Sequence, residues 1–148
     1  MTTNTVLITG ASSGIGRQLA TDYHAKGWKV IACGRDQSRL QQTPAHVYLH
    51  FDVQDLMQTL EAAEELIEPL DLVILNAGTC EYIDDAKQFD ALLMQRVLTT
   101  NVVGVANCLQ AFNKSIREGG QLALMGSAAT HLPFSRAQAY GASKAAIA

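Results

Sequence analysis

The sequence predicts an α/β fold with a doubly wound parallel sheet, covered by helices on both faces. Short apolar, β-prone runs alternate with longer segments of helical period along all 148 residues. No low-complexity linker or internal repeat interrupts this alternation, so we expect one domain, 1–148. Each parallel strand pair needs a crossover connection, and ligands bind at the carboxyl ends of strands in such sheets.

Five strands are predicted from short runs of aliphatic and β-branched residues. They lie at 5–9, 29–33, 47–51, 72–76 and 121–125. Apolar residues three and four apart predict amphipathic helices over 15–23 and 56–67. We expect Ile15 and Ile67 to lie on the buried stripes of these helices.

A third and longer helix is predicted over 89–116 from the spacing of its apolar residues. Gly119 and Gly120 follow this pattern directly. Because glycine commonly ends helices, this pair is expected to close the third helix before the fifth strand begins.

Composition narrows the functional classes. A net charge of -3 without any basic block disfavours nucleic-acid binding. No apolar run approaches the roughly 18 residues of a membrane span, so we expect a soluble cytoplasmic protein. Cys33, Cys80 and Cys108 lie far apart in apolar segments, and we expect three buried thiols. His46 and His50 share one face of a strand without further ligands, so no metal site is predicted.

A glycine-rich turn joins the first strand to the first helix. It reads Thr9-Gly10-Ala11-Ser12-Ser13-Gly14-Ile15-Gly16. Gly10 permits a tight turn, Gly14 lets the backbone approach a diphosphate, and Gly16 allows the helix to pack closely on the strand. The helix N-terminus then faces the phosphates, so the turn indicates a dinucleotide site rather than a surface turn.

Tyr140 and Lys144 are four residues apart near the end of the chain. On a helix they share one face with their polar ends close together. An ammonium ion beside a phenol favours loss of the phenolic proton, which suits a proton donor that works at neutral pH. The pair is therefore the best candidate for catalytic chemistry.

Together these motifs resemble the classical short-chain dehydrogenase/reductase family. The spacing Gly-x-x-x-Gly-x-Gly is followed by Asn76-Ala77-Gly78 after the fourth strand, Asn101 in the long helix and Ser127 after the fifth strand. The resemblance covers almost the whole chain and implies a Rossmann-type sheet that is incomplete at its C-terminal edge. Family members continue well past this length, so we expect 1–148 to be part of a longer protein with an open edge at the fifth strand. We also expect little or no catalysis from 1–148 alone.

The end of the second strand decides between the two nicotinamide cofactors. Gly34 stands where an NAD-preferring enzyme places an acidic residue, and Arg35 follows it. A guanidinium suits a 2′-phosphate, and the resemblance implies a second positive charge from Arg17. NADP(H) is therefore expected, although Asp36 would favour NAD(H) if the register shifted by one residue.

The resemblance also implies the remaining cofactor contacts. Asp52 is expected to hydrogen-bond the adenine amino group with Val53 beside the ring, although Asp52 also suits a helix N-cap. Asn76 is expected to steady the central sheet, and Gly78 to let the backbone pass close to the cofactor. The full set of cofactor-binding residues is Gly10, Ser12, Ser13, Gly14, Ile15, Gly16, Arg17, Arg35, Asp52, Val53, Asn76, Ala77, Gly78, Tyr140 and Lys144.

By the same resemblance, the reaction is hydride transfer between NADP(H) and a carbonyl or secondary alcohol. Tyr140 is expected to be the general acid or base, and Lys144 to hold the nicotinamide ribose and assist Tyr140. Ser127 would donate a hydrogen bond to the substrate oxygen. Asn101 would bend the long helix locally and anchor a water in the proton path.

Three alternatives stay open at this point. They are an NAD-dependent dehydrogenase, an extended-type sugar-nucleotide epimerase or dehydratase, and a non-catalytic NADP-binding regulator. The glycine spacing argues against the epimerase, and the complete Asn, Ser, Tyr and Lys set is unnecessary for a regulator. The expected partners are a small carbonyl or alcohol substrate and further copies of the chain in a homo-oligomer.

Overall fold

The computed structural model describes residues 3–148. Five strands form one parallel sheet in the order β3-β2-β1-β4-β5. The strands are β1 (Thr5–Thr9), β2 (Lys29–Gly34), β3 (Val47–His50), β4 (Leu70–Leu75) and β5 (Ile116–Leu124). Chain order departs from spatial order after β3, where the chain crosses back over the sheet to place β4 beside β1. The predicted doubly wound α/β fold is therefore confirmed.

The helices occupy both faces of this sheet. They are α1 (Gly14–Ala25), α2 (Gln37–Leu40), α3 (Leu56–Glu64), α4 (Ala91–Leu98), α5 (Gly104–Phe112) and α6 (Gln138–Ala146). A π-helical segment, Thr99–Val103, lies between α4 and α5. Three short 3-10 helices lie at Ala86–Gln88, Asn113–Ser115 and Ala128–Thr130. In the part of the chain that the structure describes, no helix has both the length and the apolar character needed to cross a membrane.

Alternate residues of the central strand serve the two halves of the core. Val6 and Ile8 of β1 pack on the face that α1 covers through Ala20. Leu7 faces the other way, into a cluster that includes Phe112 of α5. All of these side chains are at most 1% exposed, and burial of one such large apolar side chain contributes about 1.5–3 kcal/mol.

The predicted apolar stripes of the first two helices each include one residue that is exposed in the structure. Ile15 is 64% exposed and Ile67 is 89% exposed, whereas both were expected to face the core. Ile15 lies in the first turn of α1, at the carboxyl end of the sheet, where no other helix or strand covers it. Ile67 lies outside α3, which ends at Glu64. The helical period continued in the sequence after the helix itself had stopped.

The third predicted helix is wrong at its C-terminal end. The glycine pair at 119 and 120 does not close a helix, because β5 begins at Ile116 and includes both residues. Gly119 has φ +77°, and the pairing register between β4 and β5 shifts there. A Cβ on Gly120 would lie 2.6 Å from Ile116 Cγ2 and 3.1 Å from the Leu70 carbonyl oxygen. The glycines thus lie in an irregularity of the β4–β5 pairing, between the pairs Leu70–Ile116 and Leu72–Gln121, and do not stop a helix.

One smaller prediction also differs from the structure, and one short helix was not predicted. Cys33 and Cys108 are buried, but Cys80 is exposed in the segment after β4, so the expectation of three buried thiols is wrong for Cys80. The short helix α2 was not predicted, because four residues carry no helical period. At the far edge of the sheet, Leu122 and Leu124 of β5 are each 40% exposed.

Candidate active site

The carboxyl ends of the central strands open into a cleft of about 750 Å³. Most of the predicted site residues line this cleft. They are Gly10, Ser12, Ser13, Gly14, Ile15, Arg35, Asp52, Val53, Asn76, Ala77, Gly78, Tyr140 and Lys144. Four predicted residues are not on its walls, namely Gly16, Arg17, Asn101 and Ser127. The topology thus brings five separated motifs to one place, and the four remaining residues lie behind or beside them.

The glycine-rich turn is held by a very close approach between backbone segments. Gly10 has φ +66°, a conformation that L side chains rarely adopt. A Cβ on Gly16 would lie 2.2 Å from the Gly10 carbonyl oxygen and 2.5 Å from Asn76 Nδ2. Gly16 therefore lets the first turn of α1 rest directly on the end of β1. Ser13, the N-cap of α1, makes no side-chain capping bond, so the N-terminus of α1 offers backbone N–H groups to the cleft.

Asn76 connects the ends of β1 and β4 from behind the turn. Its backbone N–H donates to Thr9 Oγ1 at 3.0 Å, and its Nδ2 donates to the Thr9 carbonyl at 3.1 Å. The N–H of Ala77 also donates to Thr9 Oγ1, at 3.1 Å. These bonds fix the cleft floor, and Thr9 is a participant that the sequence motifs did not single out.

Positive charge collects where β2 ends. Arg35 is 72% exposed and lines the cleft, with Nη1 3.9 Å from Asp52 Oδ2. Arg39, on α2, also lines the cleft and was missed because α2 itself was not predicted. Arg17 was expected here, but its Nη2 donates to the Gln42 carbonyl at 3.1 Å. The arginines of the cleft near the end of β2 are therefore Arg35 and Arg39, whereas Arg96, which also lines the cleft, pairs with Glu81 at 2.8 Å.

Asp36 lines the cleft, but its carboxylate is engaged with α2, where Oδ2 lies 3.3 Å from Arg39 Nε. It is the N-cap of α2 and accepts bonds from the Arg39 N–H at 3.0 Å and from Ser38 Oγ at 2.8 Å. The Arg39 backbone bond, followed by the Ser38 hydroxyl, holds the pKa of Asp36 below its usual value. The carboxylate that could have favoured NAD(H) instead caps the N-terminus of α2.

Asp52 and Val53, which follow β3, form part of the cleft wall. Asp52 Oδ1 accepts from the Gln54 N–H at 3.0 Å, whereas the N-cap of α3 is Asp55, which accepts from the Gln58 N–H. The helix-cap alternative for Asp52 is therefore wrong by three residues. The Val53 carbonyl accepts from Asn107 Nδ2 at 2.8 Å, so this wall is tied to α5.

Asn101 lies at the centre of the π-helical segment and is 1% exposed. Its Oδ1 accepts from the Thr79 N–H at 2.8 Å, and its Nδ2 donates to the Thr79 carbonyl at 2.8 Å. Nδ2 also donates to Ser143 Oγ at 2.9 Å, and that hydroxyl donates to the Tyr140 carbonyl at 2.7 Å. Asn101 thus joins the segment after β4 to the helix that carries Tyr140. Ser143 is a second participant that sequence reasoning did not identify.

Lys144 is buried in the cleft, with a hydrogen-bond partner for its ammonium group and Tyr140 beside it. The whole residue is 5% exposed, and its Nζ donates to the Met125 carbonyl at 2.6 Å. Nζ lies 5.7 Å from the centre of the Tyr140 ring. Burial lowers the pKa of the Lys144 ammonium below its ordinary value. A partly desolvated cation beside a phenol is the arrangement that the sequence led us to expect, and its effect on Tyr140 stays a prediction.

Ser127 follows β5 and begins the 3-10 helix Ala128–Thr130. Its Oγ accepts from the Ala129 N–H at 3.1 Å, which leaves its own proton available for donation. This helix packs on α6, so Ser127 and Tyr140 belong to neighbouring elements. The predicted role of Ser127, donation of a hydrogen bond to the substrate oxygen, requires this proton. Ser127 is not on the cleft wall, however.

The lowered pKa of Lys144 gives a prediction on stability. Between the folded and the unfolded pKa of Lys144, the unfolded chain binds more protons, so unfolding free energy rises with pH in that window. The parent should therefore gain stability relative to Lys144→Met as pH rises from about 7 to about 10. Denaturant unfolding of both proteins at each pH measures the difference, and Lys26→Met at an exposed position is the control. A difference independent of pH would contradict the burial of a charged Lys144.

Comparison with known proteins agrees with this geometry. The model of the short chain dehydrogenase family matches residues 4–148. Serine 3-dehydrogenase of Agrobacterium fabrum is 31% identical, over 95% of this chain and 60% of its own length. NADPH-dependent pterin aldehyde reductase of Arabidopsis thaliana is 36% identical, over 73% of this chain and 49% of its own length. The chain thus spans about half to three fifths of the length of these curated relatives.

Solved structures show the same likeness. The short chain dehydrogenase of Shigella flexneri superposes with a TM-score of 0.89 at 26% identity, covering 97% of this chain and 63% of that one. A short chain dehydrogenase of Escherichia coli CFT073, solved in complex with NADPH, has a TM-score of 0.89 at 27% identity, covering 97% and 67%. Since the family model matches almost the whole chain, this protein belongs to the short-chain dehydrogenase/reductase family, of the classical type.

Proposed function

We propose that this protein is an oxidoreductase that transfers hydride between NADP(H) and a carbonyl or secondary alcohol. The observation that carries the proposal is Lys144, a buried lysine that shares one cleft with Tyr140 and with the glycine turn. The NADPH-dependent relative and the NADPH-bound neighbour support the choice of cofactor.

The residues of the cleft suit this cofactor. Gly14 lines the cleft with open space where a side chain would stand, so a diphosphate could come close to the backbone at the N-terminus of α1. Arg35 and Arg39 lie where a 2′-phosphate would be bound, and Asp36 is occupied as a helix cap. Asp52 and Val53 would hold the adenine, and Lys144 the nicotinamide ribose.

The bound cofactor supplies or accepts the hydride. Tyr140 gives a proton to the carbonyl oxygen during reduction and takes it back during alcohol oxidation. Lys144 stays protonated and stabilises negative charge on the Tyr140 oxygen. Ser127 donates its hydroxyl proton to the same substrate oxygen as charge develops there. Asn101 holds the Thr79 segment against α6, and so fixes the wall beside Tyr140.

Further parts of the proposal concern the whole protein. We propose one cofactor-binding domain over 1–148, a small-molecule substrate, and association into a homo-oligomer through the exposed apolar residues Leu92 and Val103. A cytoplasmic location suits the free thiols of Cys33, Cys80 and Cys108. A sugar-nucleotide epimerase and an NADP-binding regulator remain the rival functions, and neither explains Ser127, Tyr140 and Lys144 together with this glycine spacing.

The role of Arg35 tests the cofactor assignment. Arg35→Ala should weaken NADPH binding by about tenfold or more, because it removes a charge-assisted bond worth about 1.5–3 kcal/mol. NADH binding should change by less than about twofold, because NADH carries no 2′-phosphate. Titration calorimetry of both cofactors measures the two effects, with Lys26→Ala, at the far end of α1, as the control. Equal losses for both cofactors would refute the assignment, and so would a parent that prefers NADH.

A further inference from the structure

Arg136 makes several contacts between two segments beside the cleft. One segment follows β4 and includes Tyr82, Ile83 and Asp84, and the other leads into α6. The Ile83 N–H donates to the Arg136 carbonyl at 2.9 Å. Arg136 Nε donates to Asp84 Oδ1 at 2.8 Å, and Nη2 pairs with the same oxygen. The guanidinium carbon lies 5.3 Å from the centre of the Tyr82 ring. We name this set of contacts the 82–84/136 clasp.

The backbone of Arg136 is unusual. It has φ +67°, and among residues 3–148 no other non-glycine residue has positive φ. Glycine would adopt this conformation without steric cost, whereas an arginine there is strained. Strain of this kind persists where surrounding contacts fix the conformation, and it concentrates at functional sites. The side chain of Arg136 supplies such contacts through Asp84 and Tyr82.

The clasp lies directly before the helix that carries Tyr140. Ala137 is the N-cap of α6 and makes no side-chain capping bond, so the side chains at the helix start do not fix its position. Ile83 is 4% exposed and packs in a small cluster with Leu93, Val97 and Ala139, the neighbour of Tyr140. The segment after β4 therefore holds α6 at two points, through Arg136 and through this cluster.

We propose that Arg136 is a positioning residue, which fixes the first turn of α6 and thereby the place of the Tyr140 hydroxyl in the cleft. The proposal rests on the proposed function for the meaning of Tyr140, but the contacts can be tested without turnover. Arg136→Gly keeps the backbone conformation and removes the side-chain contacts of the clasp with Asp84 and Tyr82. Asp84→Asn removes the charge of the partner and leaves Arg136 in place.

The experiment uses 3-fluorotyrosine incorporated at all tyrosines and ¹⁹F NMR of the chain without cofactor. Tyr140→Phe assigns the resonance of Tyr140. In Arg136→Gly and in Asp84→Asn this resonance should shift or broaden, while those of Tyr23 and Tyr48 stay in place. Arg136→Lys, which keeps a cation beside Asp84, should restore the parent resonance in large part. Glu68→Gln, which breaks the exposed ion pair with Lys29 elsewhere, is the matched control.

Amide hydrogen exchange gives the second measurement. Exchange of the first hydrogen-bonded amide of α6, the Gly141 N–H that donates to the Ala137 carbonyl, should be about tenfold faster in Arg136→Gly and Asp84→Asn than in the parent, and unchanged in Glu68→Gln. The double variant should be no worse than either single one, because both remove the same contact. A Tyr140 resonance and an exchange rate that stay at parent values in Asp84→Asn would overturn the proposal. Absence of NADPH binding by the parent would instead overturn the proposed function and leave the clasp intact.

Discussion

Tyr140→Phe is expected to lower the turnover number for carbonyl reduction with NADPH by about 10²–10⁴-fold, the usual contribution of a positioned proton donor. The substitution removes one oxygen and keeps the ring, so the packing of α6 should be preserved. The dissociation constant for NADPH should stay within about twofold of the parent, because the phosphates and the adenine are held elsewhere. Steady-state kinetics on a panel of aldehydes and ketones, with direct NADPH titration, measure both quantities.

Tyr82→Phe is the matched control for this prediction. Tyr82 lies in the neighbouring segment, is 56% exposed and does not line the cleft. Its ring would still lie beside Arg136 after the change. Turnover by Tyr82→Phe should match the parent. Unchanged turnover in Tyr140→Phe would remove Tyr140 from the mechanism.

Asn101→Ala is expected to lower the free energy of unfolding by about 2–4 kcal/mol. The substitution removes three hydrogen bonds at once and leaves the N–H and carbonyl of the partly buried Thr79 without their partner. Ser143 would also lose a donor. Urea unfolding followed by circular dichroism measures the loss, and carbonyl reduction should fall as well, because Thr79 and α6 are no longer joined.

Asn107→Ala provides the comparison for Asn101. Asn107 is nearly as buried but makes a single side-chain bond, to the Val53 carbonyl. Its loss should cost about 1 kcal/mol. Equal losses in the two variants would mean that the bonds of Asn101 to Thr79 and Ser143 do not stabilise the fold beyond an ordinary buried amide.

The sheet and the motif positions could be predicted from the sequence because both follow from local patterns. Strand β1 was predicted at its observed bounds, since a short apolar run ends at the glycine turn. Because the carboxyl ends of parallel strands lie at the same end of the sheet, the motifs after β1, β2 and β4 had to meet there. The placement of Tyr140 and Lys144 on one helix followed from their spacing alone.

Other features depend on contacts between distant segments, which spacing does not reveal. Gly119 and Gly120 lie in an irregularity of the pairing with β4, which begins at Leu70. Arg17 reaches the Gln42 carbonyl instead of the cleft, and Arg39 lines the cleft through a helix too short to show a period. Ser143 acquires its role only once α6 packs against Asn101.

The most direct test of hydride transfer is isotopic. NADPH carrying deuterium at the transferable C4 position is mixed with the full-length protein and a panel of aldehydes and ketones, and the products are examined by mass spectrometry. We expect an alcohol with one deuterium on the former carbonyl carbon, formed by the parent and strongly reduced in Tyr140→Phe. Bound NADPH with no deuterium in any product would contradict it.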